Sequence, residues 1–231
     1  MVHEMIIITL GMVTVLNGLG VAFSYWIILK RPVANRIQDR TYDLSTLNTR
    51  MRLIVFNLAT IYAVTYLGIV VLGDYLVMEP IEWWLLILQC WFISFFDDTY
   101  FFFLHRWLHV NKELYRRIHK VHHKAFSPLP IEYIYVHPLE WMAGAVAPVT
   151  GMIVLGIIGG TLNFWVFLVY SGLRTIHELD IHSGFRSKWF RFVPLLGHAE
   201  HHDLHHAKPH IGNYAATYVF WDRIFGSEIK G

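Results

Sequence analysis

Long apolar segments limit this chain to very few folds. Five of them run from Met5 to Leu29, Leu53 to Leu72, Trp83 to Leu104, Leu139 to Ile158 and Thr161 to Leu179. A helix of about 20 residues spans the roughly 30 Å apolar core of a bilayer. Within that core every backbone N–H and C=O must find a partner in the chain, so open sheets and irregular segments are excluded. The sequence therefore predicts an all-α, multi-pass membrane helical bundle.

Composition and spacing refine this prediction. Of the 231 residues, 55% are hydrophobic and only 16% are charged, which is too apolar for an ordinary soluble domain. The first segment has no basic leading region, so we expect a retained anchor. Gly159 and Gly160 separate the last two segments and Pro148 interrupts the fourth, which predicts a hairpin at 139–179 that partly crosses the bilayer. We expect membrane anchor helices at 1–104 and a histidine-rich region at 105–231, integrated as one domain.

Charge predicts the orientation of the chain. All 19 Lys and Arg residues fall at 30–52, at 106–124 or from 174 onward, while the loop from Gly73 to Glu82 has three acidic residues and no base. By the positive-inside rule the basic segments are cytoplasmic. We therefore expect a cytoplasmic histidine-rich helical cap. We expect the protein in the endoplasmic reticulum membrane of a eukaryote or in the inner membrane of a bacterium.

Histidines are strongly clustered. Fourteen of the fifteen lie between His105 and His210, and most belong to HRWLH at 105–109, HKVHH at 119–123 and HHDLHH at 201–206. Residues three and four apart share a helix face, so each cluster can direct several imidazoles to one place. Eight or more imidazoles exceed the four ligands of a zinc ion, which indicates two metals. Imidazole suits zinc, copper, iron and nickel alike, but a site at the edge of an apolar bundle, open to lipid and to electron carriers, favours iron with O₂.

Further motifs make a resemblance specific. The three clusters, together with YVHPLE at 135–140, IHSG at 181–184 and GNYAATYVFWDRIFG at 212–226, resemble the fatty acid hydroxylase (sterol desaturase) superfamily. Within it, the C4-methylsterol monooxygenase group is most similar, and the resemblance covers roughly residues 97–226. It implies a non-haem di-iron oxygenase that uses O₂ and electrons from NAD(P)H through cytochrome b5 or a similar carrier.

The resemblance also implies the metal ligands. They are His105, His109, His119, His122, His123, His182, His202, His205 and His206. His177 stands where the family tends to have glutamate, and its role is left open between a metal ligand and a residue that supports one. His201 matches the family's doubled histidine and is a supporting candidate.

Other polar residues receive weaker interpretations. Asp98 lies two helical turns before His105 on the same face, so its carboxylate either accepts a hydrogen bond from a ligand imidazole, which we favour, or pairs with a nearby base at the membrane interface. Asp203 either orients a ligand in the same way or is solvated. His137 precedes a proline, which predicts a turn. We expect solvated or structural roles for His3, His198 and His210, and a packing and salt-bridge clamp from Trp221, Asp222 and Arg223.

These observations lead to one function and several alternatives. The leading interpretation is hydroxylation of an unactivated C–H bond of a sterol-like lipid, first of all the C4 methyl group. A sterol side-chain hydroxylase, a sterol desaturase or a fatty acyl hydroxylase would use the same scaffold. A membrane metal transporter is the alternative from another class, although it would carry ligands at mid-membrane. The basic residues around the second cluster favour anionic lipid or an electron-transfer protein over nucleic acid.

Overall fold

Helices form almost all of the regular structure in the computed structural model, which describes residues 1–39, 43–187 and 196–229. Four of them are long and apolar enough to cross a membrane, as the sequence predicts: α1, α2 with the short 3₁₀ turn that follows it, α3 and α6. In chain order the helices are α1 (Val2–Lys30), α2 (Leu44–Leu72), α3 (Trp83–Val110), α4 (Lys112–Leu114), α5 (Lys120–His123), α6 (Pro138–Gly159), α7 (Phe164–Ile181), α8 (Ala199–Ala207) and α9 (Phe220–Ile224).

The fifth apolar segment forms α7, which is not among these four spans. Its second half contains Arg174, Glu178 and Asp180, which make it more polar than a membrane span. Instead α7 packs against α3 and α1 within the bundle. The hairpin predicted at 139–179 therefore consists of one long apolar helix and one shorter helix with a polar face.

The bundle has two distinct ends. At one end, two-residue strands β1 (Leu76–Val77) and β2 (Leu162–Asn163) pair in parallel. The chain's first turn lies there too, because Met5 and Ile69 share a core cluster with Leu76 and Leu162. The acidic loop, the start of α1 and the α6–α7 connection are therefore neighbours. Every histidine cluster lies at the opposite end, which is the relative arrangement that the charge pattern predicts.

Buried polar contacts organise the histidine end. The Arg50 guanidinium on α2 forms an ion pair with Glu132 and donates to the Lys124 carbonyl at 2.7 Å. Asn57, about two turns further along α2, donates to the carbonyls of Ile134 and of Val136. These bonds hold the segment between α5 and α6 against α2. Because α3 continues without a break past residue 104, its last two turns carry histidines directly out of the membrane-spanning part.

Candidate metal centre

Nine buried histidines converge at one end of the bundle. Among the described residues they form two groups, and the potential ligand atoms within each group lie within 4.8 Å of one another. The first group is His105, His109, His119, His123 and His205, and the second is His122, His182, His202 and His206. These are the nine positions that the family resemblance implies.

Helical spacing explains how the two groups are built. A π-helical turn, Tyr115–His119, leads into α5 and aligns the second cluster. Among the nine, histidines four residues apart enter the same group: 105 with 109, 119 with 123, and 202 with 206. Histidines three residues apart, 119 with 122 and 202 with 205, enter different groups. One short helix therefore serves both groups, because positions i+3 and i+4 lie on opposite sides of residue i, at about −60° and +40° around the axis, given some 100° per residue.

Hydrogen bonds at the outer ring nitrogens set the tautomers. His105 Nδ1 lies 2.6 Å from the Tyr214 carbonyl oxygen, and His205 Nδ1 lies 2.9 Å from that of Gly212. His182 Nδ1 lies 2.9 Å from the Glu178 carbonyl oxygen. A carbonyl can only accept, so Nδ1 carries the proton in each neutral ring. The Nε2 atom of each ring is then left with a bare lone pair.

The distances between these bare nitrogens show whether the site suits a metal. His119 Nδ1 also faces an acceptor, the Glu140 carboxylate, and the Nε2 atoms of His105 and His119 lie 3.1 Å apart in the first group. In the second group His122 Nδ1 faces the Tyr135 carbonyl, and the Nε2 atoms of His122 and His182 are 3.4 Å apart. Lone pairs at such distances repel unless a cation lies between them, so the arrangement fits one metal ion in each group. The nearest rings across the two groups, His123 and His206, have centroids 5.0 Å apart.

Burial keeps the imidazoles in the form that binds metal. It lowers the pKa of His119 to about 3 and, less strongly, that of His182 to about 4, because the charged form loses its hydration. Metal binding requires neutral imidazole, so no proton needs to be displaced from these rings at neutral pH.

Glu140 is a site residue that the sequence reasoning missed. Its carboxylate oxygen Oε1 accepts from His119 Nδ1 at 2.7 Å, and its other oxygen has no hydrogen-bond partner within the described structure. The residue lies in the first turn of α6, just after Pro138. A carboxylate on the outer nitrogen of a ligand imidazole holds the ring and strengthens it as a ligand. The motif YVHPLE contained this signal, since it places a carboxylate at the start of a helix beside the histidine clusters.

Asp98, the carboxylate that the sequence suggested for this role, lies elsewhere. Its two oxygens accept the backbone N–H groups of Thr217 at 2.7 Å and Tyr218 at 3.1 Å. Asp222 similarly accepts the N–H groups of Tyr214 and Ala215, each at 2.9 Å. The two aspartates thus fix the loop whose Tyr214 carbonyl accepts the hydrogen bond from His105 Nδ1. Asp98 therefore acts on the ligand set through this loop. In the predicted clamp at 221–223, the main contacts are the backbone N–H groups that donate to the Asp222 carboxylate.

His177 and His201 fall outside both groups. His177 Nε2 lies 3.0 Å from the Gly197 carbonyl oxygen, and His201 Nε2 lies 3.3 Å from the Asp222 carboxylate. His177 leaves α7 one and a half turns before His182, so the two rings point in different directions. Both residues are placed to support the surrounding loops.

The remaining polar candidates lie at the edge of the centre. His137 Nδ1 accepts the Leu139 N–H at 3.2 Å and so caps α6, in agreement with the predicted turn. Asp203 accepts from the Gln38 amide at 2.7 Å, which ties α8 to the α1–α2 connection. His198 pairs with Glu200 at 3.1 Å.

A partly open cavity lies directly beneath the histidines. This cavity has a volume of about 260 Å³ and runs between α1, α2, α3, α6 and α7. Imidazoles of both groups form its upper wall, and much of the rest is apolar, with side chains such as Met12, Phe101, Val149, Met152 and Phe167. An apolar molecule in the cavity therefore contacts the imidazoles at one end.

A membrane helical bundle with a two-part histidine centre above an apolar cavity defines a class of membrane metalloprotein. Comparison with known proteins names it: residues 90–227 match the fatty acid hydroxylase family, and the chain belongs to this family.

Individual relatives include methylsterol monooxygenases. The chain is 35% identical over 151 residues to methylsterol monooxygenase 1 of Rattus norvegicus, covering 64% of this chain and 49% of that protein. It is 36% identical over 152 residues to the Gallus gallus protein of the same name, covering 65% and 49%. A very-long-chain aldehyde decarbonylase of Oryza sativa is 35% identical over 151 residues, covering 64% and 54%. The chain thus spans about half the length of these relatives. No solved structure matches.

Loss of the Glu140 carboxylate should weaken metal binding. We expect Glu140→Ala to lower the affinity of the first group by about 10–100-fold, because His119 loses the acceptor that fixes its tautomer and ring. Competition with a chromophoric chelator measures this affinity. Trp141→Phe is the matched control, since Trp141 follows on the same helix and lines the same cavity. Equal affinities for Glu140→Ala and the control would contradict the role of Glu140.

Proposed function

We propose that this protein is a membrane monooxygenase that hydroxylates an unactivated C–H bond of a sterol-like lipid, at the C4 methyl group. The observation that carries the proposal is the apolar cavity whose upper wall consists of imidazoles from both groups. The names of the methylsterol monooxygenase relatives support the sterol class.

The donor set suits two iron ions, held by the first group of five imidazoles and the second group of four. When bound, iron would activate O₂ with electrons from NAD(P)H, delivered through cytochrome b5 or a similar electron-transfer protein. The chain supplies the rest. Buried neutral imidazoles preserve the ligand geometry, the cavity excludes water, and its walls hold one carbon of the lipid against the centre.

The membrane helices provide the route for such a substrate. A sterol is nearly insoluble in water and dissolves in the bilayer, and the cavity lies between helices that are long enough to cross it. Exposed lysines Lys112, Lys120 and Lys124 lie beside the second histidine cluster at the histidine end. We assign them to contact with anionic lipid heads or an acidic electron carrier.

Orientation in the membrane is a testable part of the proposal. We expect the histidine end to face the cytoplasm and the loop 73–82 to face the other side. The only native cysteine, Cys90, is buried, so engineered cysteines label without background. Asp74→Cys and Lys208→Cys should react oppositely with a membrane-impermeant maleimide on sealed membrane vesicles of known sidedness. The same response from both sites would contradict the orientation.

The substrate assay tests the function directly. Purified protein with iron and a competent electron donor should oxidise 4,4-dimethyl sterol faster than cholesterol, a long-chain ceramide or a very-long-chain aldehyde. Product analysis locates the oxidised carbon. Oxidation of only the sterol side chain or of an acyl chain would overturn the C4 assignment while keeping the family's chemistry, and conversion of only the aldehyde would place the chain with its decarbonylase relatives.

A further inference from the structure

A patch of four larger polar side chains interrupts the apolar part of the cavity wall. Asn17 comes from α1, Tyr133 from the 3₁₀ helix Pro130–Ile134, and Arg174 and Glu178 from α7. Polar groups within a membrane bundle are costly and are usually retained for function. Glu178 Oε2 lies 3.6 Å from His182 Nδ1 and so adjoins the histidine centre. The described contacts of Asn17, Tyr133 and Arg174 include no ligand candidate's ring nitrogen, so their presence in the cavity requires another explanation.

Asn17 and Tyr133 form a linked pair with spare bonding capacity. The Tyr133 hydroxyl donates to Asn17 Oδ1 at 2.8 Å, and Asn17 Nδ2 donates to the Val13 carbonyl at 2.9 Å. An amide nitrogen carries two protons and a phenol oxygen also accepts, so one donor and one acceptor remain. Burial raises the pKa of Tyr133, which keeps this phenol protonated. The pair can thus both donate to and accept from one further group.

Arg174 adds donors to the same wall. Its Nε donates to Asp97 Oδ2 at 2.7 Å, and the Tyr170 hydroxyl donates to the same oxygen at 2.6 Å. Glu178 is 3.9 Å from the Arg174 guanidinium. A guanidinium has five N–H donors, so several are left for a ligand. Because two carboxylates flank one guanidinium, the patch disfavours an anionic ligand and suits a neutral one.

The patch lies close to the second group of imidazoles. The ring centroids of Tyr133 and His182 are 6.5 Å apart. Glu178 precedes His182 by four residues, a helical rise of about 6 Å. A group bound at the patch therefore lies close to the His182 imidazole of the second group.

We propose that Asn17, Tyr133 and Arg174 form a subsite that binds the hydroxyl group of a lipid alcohol, such as the 3-hydroxyl of a sterol. This inference rests on the proposed function. A hydroxyl both donates and accepts, which matches the spare groups of the Asn17–Tyr133 pair and the guanidinium. A hydroxyl held this near the imidazoles brings the neighbouring carbon to the centre, and keeps the sterol side chain, at the opposite end of the ring system, away from it.

Binding in the absence of oxidation tests the subsite. Full-length metal-loaded protein in nanodiscs, without an electron donor, is titrated with 4,4-dimethyl sterol and with its 3-deoxy analogue. We expect the wild type to bind the alcohol about tenfold more tightly, as one or two net hydrogen bonds would give. Tyr133→Phe and Asn17→Leu should each bring this ratio close to one by weakening only the alcohol. Met152→Leu, in the apolar wall, should change both affinities alike.

The outcomes separate this inference from the proposed function. Equal binding of the two sterols by the wild type overturns the subsite, and so do variants that lose both ligands equally. A wild type that prefers the alcohol, with the preference lost in both variants, supports the subsite. If that protein nevertheless forms no oxidised sterol when electrons are supplied, the proposed function fails and the subsite stands as a sterol-binding site.

Discussion

Replacing His205 with alanine is expected to abolish lipid oxidation and to remove the metal from the first imidazole group. His205 is fully buried, and its Nε2 lies 3.1 Å from that of His123. Loss of a direct ligand should exceed the roughly 10–100-fold effect of losing a residue that only orients one. Metal analysis after anaerobic purification should fall from two ions per chain toward one, and product formation should become undetectable.

The matched control is His198→Ala, the same substitution just before the first turn of the same helix. The His198 side chain is 38% exposed and pairs with Glu200, so we expect metal content and oxidation to remain near those of the wild type. Membrane insertion should be similar in both variants, because the hydrophobic clusters lie elsewhere. If both variants lost folded protein equally, the cluster would be structural and the metal assignment would fail.

Removing one member of the Arg50–Glu132 pair should give the largest loss of stability. Glu132 is fully buried and also accepts the Leu129 N–H at 2.9 Å. Glu132→Leu takes away the carboxylate that offsets the buried Arg50 charge, which typically costs about 3–5 kcal/mol of unfolding free energy. Denaturation in mixed micelles, followed by tryptophan fluorescence, measures the change.

A double variant distinguishes the charge effect from simple loss of packing. Arg50→Met combined with Glu132→Leu removes both charges and keeps apolar volume, so we expect it to be more stable than Glu132→Leu alone. A double variant that is less stable by the sum of the two single effects would show that the ion pair is not what these residues contribute.

Local patterns in the sequence anticipate a large part of this architecture. The membrane helices follow from the length of the apolar runs, and the placement of the acidic loop opposite the histidines follows from where Lys and Arg are absent. The polar half of α7 was the exception. Hydrophobicity summed over 161–179 suggests a possible span, whereas Arg174 and Glu178 are accommodated because they face a cavity and Asp97 rather than lipid.

The site shows the same division. Spacings of three and four residues indicate which histidines can share a helix face, and the family motifs indicate nine candidate ligands. Neither shows that 119 and 122 belong to different groups, since that depends on the π-helical turn and on the partners across the bundle. Helix periodicity suggested Asp98 as the carboxylate beside an imidazole, whereas the structure has Glu140 there.

The sequence by itself determined the fold class, the clustering of histidines at one end and the chemical type of the ligands, because these depend on composition and short-range spacing. The tertiary structure alone decided which carboxylate touches which ring, that His177 lies outside both groups, and that Asn17, Tyr133 and Arg174 face one cavity. These residues are far apart along the chain. Their contacts depend on how whole helices pack, and local patterns carry no record of that packing.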